Sequence, residues 1–262
     1  MNRLFFLLLA VLLVPLQRSL ADEPEPAPAT PQTVAQRLYH AYDAVQTLSC
    51  DIRRDLPLPD GSTSRMLSRV LYAKPASLNS ETFSPVKRRT VSDGIILRQH
   101  IEGLSKGFSR PVADLDPVMR ENLLMVPGSN ANLLKPLLDL PETLLPPEDG
   151  APVRAAYATP TAYTVLSLDG EGRWTRIQVY SSPAMTDLLA DQRFSDFEPV
   201  APGAWIATRQ ETRLSLDGIA ATGTTRITHL QPGIEIPAAA FDGAAFFPGI
   251  EFVDSFDKIP AP

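Results

Sequence analysis

The sequence predicts a mainly β protein built on one antiparallel sheet, and three observations lead to this fold class. Short runs of strand-forming residues alternate with turn residues through most of the chain, and the connections between them are only a few residues long. Such connections force neighbouring strands to be antiparallel. A helical pattern precedes the runs, and a leucine-rich segment interrupts them. A meander of this length curls toward a barrel or covers its apolar face with other elements.

The first 21 residues have the layout of a secretory signal peptide. Arg3 supplies a charged start, an apolar run extends from Leu4 to Leu16, and Ser19 and Ala21 provide small residues for cleavage. The alternative is a membrane anchor, but the run is shorter than the ~20 apolar residues that a spanning helix needs. No cysteine follows the run, which argues against an N-terminal lipid anchor. We therefore expect cleavage near Ala21 and export across the inner membrane.

A linker and a single domain are predicted after the signal peptide. Residues 22–31 alternate proline with acidic residues and contain no apolar side chain larger than alanine. Such a segment cannot contribute to a core, so we expect it to be extended. The remaining residues are within the range that one all-β domain can fill. The sequence thus predicts a signal peptide over 1–21, a linker over 22–31 and one domain over 32–262.

An amphipathic helix is predicted at the start of this domain. Apolar residues recur at helical spacing from Val34 to Leu48, and Thr30 followed by Pro31 offers an N-cap and a first-turn proline. Strands follow the helix, separated by turns such as Asp93-Gly94 that carry glycine beside an acidic residue. The predicted strands are 49–56, 64–73, 77–83, 87–92, 95–101, 104–109, 152–158, 161–168, 173–181, 192–198, 204–216 and 220–230.

The segment from Asp116 to Pro147 breaks this rhythm. Asp116 can cap a helix that has Pro117 at its first position, and Pro136 interrupts a second helical piece. The segment is rich in leucine but too short to span a bilayer. Its leucines are either ordinary core residues or part of a lid over a concave apolar face.

Composition excludes several kinds of chemistry. The formal net charge of the 262 residues is -6, and the longest basic run is Lys-Arg-Arg at 87–89, so we expect no nucleic-acid partner. The single cysteine, Cys50, is interpreted as a small buried strand residue rather than a reactive thiol. His40, His100 and His229 lie in different predicted elements, without metal-ligand spacing. We therefore expect no catalytic residue, no metal and no cofactor, and a secreted hydrolase is the least favoured alternative.

Four short motifs carry a resemblance to a known family. LSCDI begins at Leu48, LYAKP at Leu71, VSDG at Val91 and FPGIEFVD at Phe247. In this order and spacing the chain resembles the LolA family of periplasmic lipoprotein carriers, from about Val34 onward.

This resemblance implies an incomplete barrel, in which a single curved sheet surrounds a hydrophobic cavity and helices form a lid over it. The resemblance also makes Lys74 the candidate latch that holds the lid closed by bonding to its backbone carbonyls. The signal peptide without a following cysteine and the acidic net charge predict a soluble periplasmic monomer. On the strand at 173–181, Ile177 and Val179 share one face and are expected to point into the cavity. The predicted cavity and lid residues are Leu123, Leu124, Leu133, Leu134, Leu137, Ile177 and Val179.

The function implied by the resemblance is that of a carrier. It would shield the acyl chains of a lipoprotein or lipid and deliver them to the outer membrane, since each exposed CH₂ costs about 0.8 kcal/mol in water. The implied partners are lipoprotein acyl chains or free lipid, an inner-membrane transporter that releases lipoproteins, and an outer-membrane acceptor. A second hypothesis stays open at this point: an envelope regulator that senses lipid on the same scaffold without transporting it.

Overall fold

The structure is a computed structural model that describes residues 31–58, 62–148, 150–216 and 219–259. The predicted signal peptide and all of the predicted linker except Pro31 therefore lie outside it.

The start of the first helix is determined by its capping residues. Helix α1 (Val34–Ala41) begins after Thr33, whose hydroxyl accepts a hydrogen bond from the Gln36 amide while the Gln36 side chain accepts one from the Thr33 amide. This reciprocal capping box satisfies two otherwise unpaired donors. The predicted cap at Thr30 is therefore wrong.

The strand pattern follows the predicted runs closely. β1 begins at Thr47, soon after α1, so the helix is shorter than predicted. Strands β1–β6 and β8–β13 correspond to the twelve predicted runs, whereas β7 and β14 are short and were not predicted. The strands are β1 (Thr47–Pro57), β2 (Thr63–Ala73), β3 (Ser77–Ser84), β4 (Arg88–Asp93), β5 (Ile96–Ile101), β6 (Lys106–Pro111), β7 (Glu142–Leu145), β8 (Val153–Ala158), β9 (Tyr163–Leu168), β10 (Trp174–Tyr180), β11 (Leu188–Ala201), β12 (Ala204–Leu216), β13 (Ile219–Pro232) and β14 (Glu251–Val253).

All of these strands belong to one curved sheet. Strands β1–β6 and β7–β13 form two meanders that are joined by the pairing of β1 with β13. Every pair is antiparallel except β14 with β6, which is parallel because the chain returns to this edge from far away rather than through a hairpin. The sheet is therefore mixed, and the prediction of a purely antiparallel sheet is corrected at this edge. β14 and β7 end the strand order without pairing with each other, so the predicted incomplete barrel is confirmed.

One face of the sheet, which we call the concave face, is covered by α1 and by the segment 117–140. We call this segment the lid. It consists of helix α2 (Pro117–Leu124) and two single 3₁₀ turns, because Pro136 lies where a longer second helix would need a backbone donor. Buried residues of α1, the lid and strands β8–β12 form a core cluster that we call the α1 cluster, and it includes Val34, Leu38, Leu134, Leu137, Leu166, Trp174, Ile177 and Phe194.

The opposite face of β3–β5 is covered by the C-terminal segment 234–259, which contains helix α3 (Gly243–Phe246). Asn79 on β3 donates a hydrogen bond of 2.8 Å to the Ala240 carbonyl, and the Arg89 guanidinium lies 4.7 Å from the centre of the Phe246 ring. Val91 of the VSDG motif is fully buried beneath this segment. None of the helices that the structure describes is long and apolar enough to cross a membrane.

The VSDG turn is not the type I′ turn that an Asp-Gly pair between two strands favours. A type I′ hairpin turn needs positive φ at both central residues, but among the described residues here only Gly94 has it, at +89°. The Asp93 carboxylate instead accepts hydrogen bonds of 2.8 Å from the amides of Ile95 and Ile96. Asp93 is thus a structural turn residue, as the sequence predicted.

Cys50 is expected to be unreactive in the folded protein. It is 1% exposed on β1, which confirms the sequence interpretation, and burial together with the Asp51 carboxylate raises its thiol pKa to about 12. Because the thiolate is the reactive form, we expect the native protein to react very slowly with an aromatic disulfide reagent at neutral pH. The same protein in urea, which serves as the control, should react completely. Rapid labelling of the native protein would contradict this prediction.

Candidate functional site

The concave face continues beyond the part that the lid covers. On β1, Ile52 is buried beneath the lid, and because alternate strand residues share a face, Arg54 and Leu56 extend the same face toward the end of the strand. Leu56 is 53% exposed, and its Cδ2 atom lies 2.8 Å from the position that a Cβ would take at Gly223 on the neighbouring strand β13. The Leu56 side chain therefore lies flat against the sheet, with its other side open to solvent.

Three further strands extend this uncovered surface. Leu214 on β12 shares a face with Gln210, which bonds to the lid, and it is 38% exposed. It pairs with Ala190 on β11, which pairs with Val179 on β10. We call this surface the trough, and it consists of Leu56, Val179, Ala190, Leu214 and Ala221. On β10 the trough continues directly from the buried Ile177 to Val179, whereas on β11 and β12 Gln192 and Thr212 lie between the trough and the core. Exposed apolar side chains grouped on one face of a sheet indicate an interaction site.

A cavity of about 390 Å³ lies between the lid and strands β1–β3. This volume is within the range of small-molecule sites. Its apolar wall is formed by Ile52, Val70 and Leu78 of the sheet and by Met125, Val126 and Pro127 of the lid. Arg54 and four neutral polar residues, Ser80, Asn122, Asn130 and Asn132, complete it. Arg54 and Leu56 are alternate residues of one strand, so the cavity leads into the trough.

The lid approaches the sheet closely at one glycine. Gly128 has φ of +80°, and a Cβ at this position would lie 2.6 Å from the Ile227 Cδ1 atom. Only glycine fits both the left-handed backbone and this close approach.

Two side chains of the sheet reach the lid backbone. The Tyr72 hydroxyl donates a hydrogen bond of 3.3 Å to the Leu124 carbonyl, and Gln210 Nε2 donates one of 3.4 Å to the Gly128 carbonyl. Burial, with a contribution from the charge of Asp43, raises the pKa of Tyr72 to about 12, so the hydroxyl stays protonated and able to donate. The long distances make these bonds weak. These two bonds therefore restrain the part of the lid around Leu124 and Gly128 only weakly, whereas its C-terminal part is held by a bond of 2.8 Å from Gln36 of α1 to the Leu138 carbonyl and by the burial of Leu134 and Leu137.

Comparison with known proteins shows similarity at the level of structure. No protein-family model matches the sequence, and no curated protein matches it. An outer membrane lipoprotein-sorting protein domain from Vibrio parahaemolyticus superposes with a TM-score of 0.51 at 12% identity, covering 81% of this chain and 96% of that one. A DUF1329 family protein from Desulfovibrio piger gives 0.51 at 13% identity, covering 81% and 95%. A LolA superfamily protein from Nitrosomonas europaea gives 0.49 at 12% identity, covering 79% and 95%.

The chain has a LolA-like fold. The resemblance predicted from the four motifs is thus confirmed for the fold. In this LolA-like sheet, the described residues contain no group of three or more His, Cys, Asp or Glu side chains placed to hold a metal ion.

One core cluster of the LolA-like fold contains four of the seven predicted cavity and lid residues. Leu134 and Leu137 are buried in the α1 cluster with Ile177, and Leu133 packs against its edge. Leu123 lies apart from them, in a separate cluster beneath α2 with Leu97 and Phe108. Leu124 is 45% exposed, and Val179 is half-buried in the trough.

Lys74, the predicted latch, bonds elsewhere. Its ammonium group donates to the Asp43 carbonyl at 2.6 Å and lies 3.2 Å from the Asp43 carboxylate. Asp43 belongs to the 3₁₀ turn that follows α1. Lys74 bonds to this turn because the end of β2 lies beside it rather than beneath the lid. Hydrogen bonds from His40 and from Lys74 lower the pKa of Asp43. The predicted contact of Lys74 with lid carbonyls is therefore corrected, and Tyr72 and Gln210 make such contacts instead.

Sequence reasoning missed the trough and the polar part of the cavity. Leu56 and Leu214 lie near the ends of long strands. An apolar residue at the end of a strand does not by itself indicate that it belongs to an exposed apolar surface. The available signal was the alternation from Ile52, which places Arg54 and Leu56 on the core side of β1.

Removing the Tyr72 hydroxyl is expected to loosen the lid of this LolA-like protein. Tyr72→Phe keeps the buried ring but loses the bond to the Leu124 carbonyl, which contributes about 1 kcal/mol. We expect amide hydrogen exchange in the lid to increase about fivefold. Tyr163→Phe is the matched control, because the Tyr163 hydroxyl has no hydrogen-bond partner among the described residues. Equal exchange in both variants would show that the Tyr72 bond does not restrain the lid.

Proposed function

We propose that the protein is a periplasmic carrier that shields the acyl chains of a lipoprotein or lipid and delivers them to the outer membrane. The observation that carries this proposal is the trough, whose exposed leucines lie on the same face of the sheet as the cavity beneath the lid and are reached from it past Arg54. An acyl chain has no polar groups to satisfy, and its transfer from water to such a surface is favourable by about 0.8 kcal/mol for each CH₂. No catalytic group is needed for this task.

The lid supports release as well as binding. A carrier must give up its cargo, so the cover over the ligand must open at a modest free-energy cost. The weak bonds from Tyr72 and Gln210 to the lid backbone are suited to this requirement. Under this proposal, the donor is an inner-membrane transporter that releases lipoproteins, the recipient is an outer-membrane acceptor, and the protein acts as a monomer.

The proposal is tested by binding and by transfer. We expect the purified protein to bind a fluorescent acyl probe and to speed the movement of an acylated peptide from donor to acceptor vesicles. Heat-denatured protein is the control for nonspecific adsorption. A folded protein that binds no acyl probe would refute the proposal. Binding without faster transfer would favour a lipid-sensing regulator on the same scaffold.

A further inference from the structure

Arg54 is the only ionisable side chain among the described residues that line the cavity beneath the lid. It lies on β1 between Ile52 and Leu56 on the same face, and its cross-strand neighbours are Met66 and Thr225, which are both uncharged. The positively charged Arg54 side chain therefore lies where the cavity opens into the trough.

Within the described part of the chain, the Arg54 guanidinium has neither an ion-pair partner nor a hydrogen bond. Its neighbour Arg53, on the opposite face, pairs with Asp55 at 2.7 Å. Arg54 is exposed at the mouth of the cavity, and although partial desolvation lowers its pKa, an arginine remains charged at all physiological pH values. Its charged guanidinium is therefore accessible to a ligand that enters the cavity from solvent.

The remaining polar groups of the cavity suit an anion. The wall contains no carboxylate, and Ser80, Asn122 and Asn132 bring neutral side chains that can donate hydrogen bonds. A guanidinium binds a carboxylate or a phosphate through two parallel hydrogen bonds, which makes it the preferred side chain for both groups.

We propose that the cavity beneath the lid binds the anionic headgroup of an amphiphile, with Arg54 contacting its carboxylate or phosphate. The acyl chain of the same molecule extends past Leu56 into the trough, so this inference rests on the proposed function and adds a headgroup preference to it. Arg54 thereby sets the orientation of the ligand, with the head beneath the lid and the tail along the open end of the sheet.

The test uses three competitors that share a dodecyl-length chain and differ in their headgroups: dodecanoate, dodecyl phosphate and the uncharged 1-dodecanoylglycerol. The affinity of each competitor is measured by its displacement of a fluorescent acyl probe from the wild-type protein, from Arg54→Gln and from Arg209→Gln. Arg209 is the matched control because it is exposed and unpaired among the described residues, and its pairing with Arg226 places it on the face opposite Arg54.

We expect wild type to bind at least one anionic competitor about tenfold more tightly than the uncharged ester. Arg54→Gln should abolish this preference without changing the affinity for the ester, and Arg209→Gln should retain it. The tighter of the two anions identifies the headgroup as carboxylate or phosphate. The inference is wrong if Arg54→Gln keeps the preference for an anionic competitor, or if it loses affinity equally for all three competitors. Either result leaves the proposal that the protein binds acyl chains standing. Failure of wild type to bind any competitor refutes the proposed function itself.

Discussion

Leu134→Asp is expected to unfold most of the protein at ambient temperature. Leu134 is fully buried in the α1 cluster, between α1 and the sheet. Removing a buried leucine side chain costs about 2–5 kcal/mol, and an unpaired carboxylate at the same place adds to this cost. The total approaches the whole free energy of unfolding of a typical domain, about 5–15 kcal/mol. Urea unfolding followed by the fluorescence of Trp174, which is buried in the same cluster, measures the effect.

Val118→Asp is the control within the same lid. Val118 is 66% exposed in the first turn of α2, where a carboxylate interacts favourably with the helix N-terminus. We expect its unfolding free energy to stay within about 0.5 kcal/mol of wild type. A Leu134→Asp protein with wild-type stability that no longer binds acyl chains would contradict the prediction. It would show that Leu134 lines a space for ligand rather than the core.

Leu214→Asp is expected to lower the affinity for an acyl chain by tenfold or more while leaving the protein folded. Leu214 lies in the trough and is 38% exposed, so its substitution removes little buried surface from the core. A carboxylate there must lose water when an acyl chain covers it, and about 1.4 kcal/mol of lost binding free energy is a tenfold change in affinity. Titration with a fluorescent acyl probe, alongside thermal unfolding, separates binding from stability.

Leu67→Asp provides a control with the same exposure. Leu67 is also 38% exposed, but it pairs with Arg53 and therefore lies on the opposite face of the sheet. We expect this variant to bind the probe as wild type does. If both aspartate variants bind equally well, the trough is not where acyl chains lie.

Much of the fold could be predicted because local patterns determine it. Strand-forming runs separated by turns such as Asp93-Gly94 define a meander without knowledge of distant contacts. The two missed strands lack such a pattern. β7 lies within a leucine- and proline-rich segment that resembles the lid, and β14 has only three residues and pairs parallel to β6. A parallel edge strand depends on where the chain returns, which no local signal specifies.

The candidate site was harder to predict, because burial in the lid depends on packing over long sequence separations. The leucines of the lid look alike in sequence, yet Leu134 is fully buried and Leu124 is 45% exposed. The side-chain hydrogen bonds to the lid backbone come from Tyr72 and Gln210 of the sheet and from Gln36 of α1, all far away in the chain. A basic residue at Lys74 could be recognised from its motif, but its bond to Asp43 depends on how the end of β2 meets the turn after α1.

The pairing of β1 with β13 has a consequence for the order of folding. Each meander is built from hairpins, whose contacts are close in sequence and form quickly. The ladder between the meanders instead joins residues such as Asp51 and Thr228, so it closes a loop that contains most of the domain. Loop closure over such a distance is slow, because its entropic cost precedes the contacts that offset it. We therefore expect the two halves to form as separate units, and the continuous sheet that presents the trough to be completed only after β13 has docked.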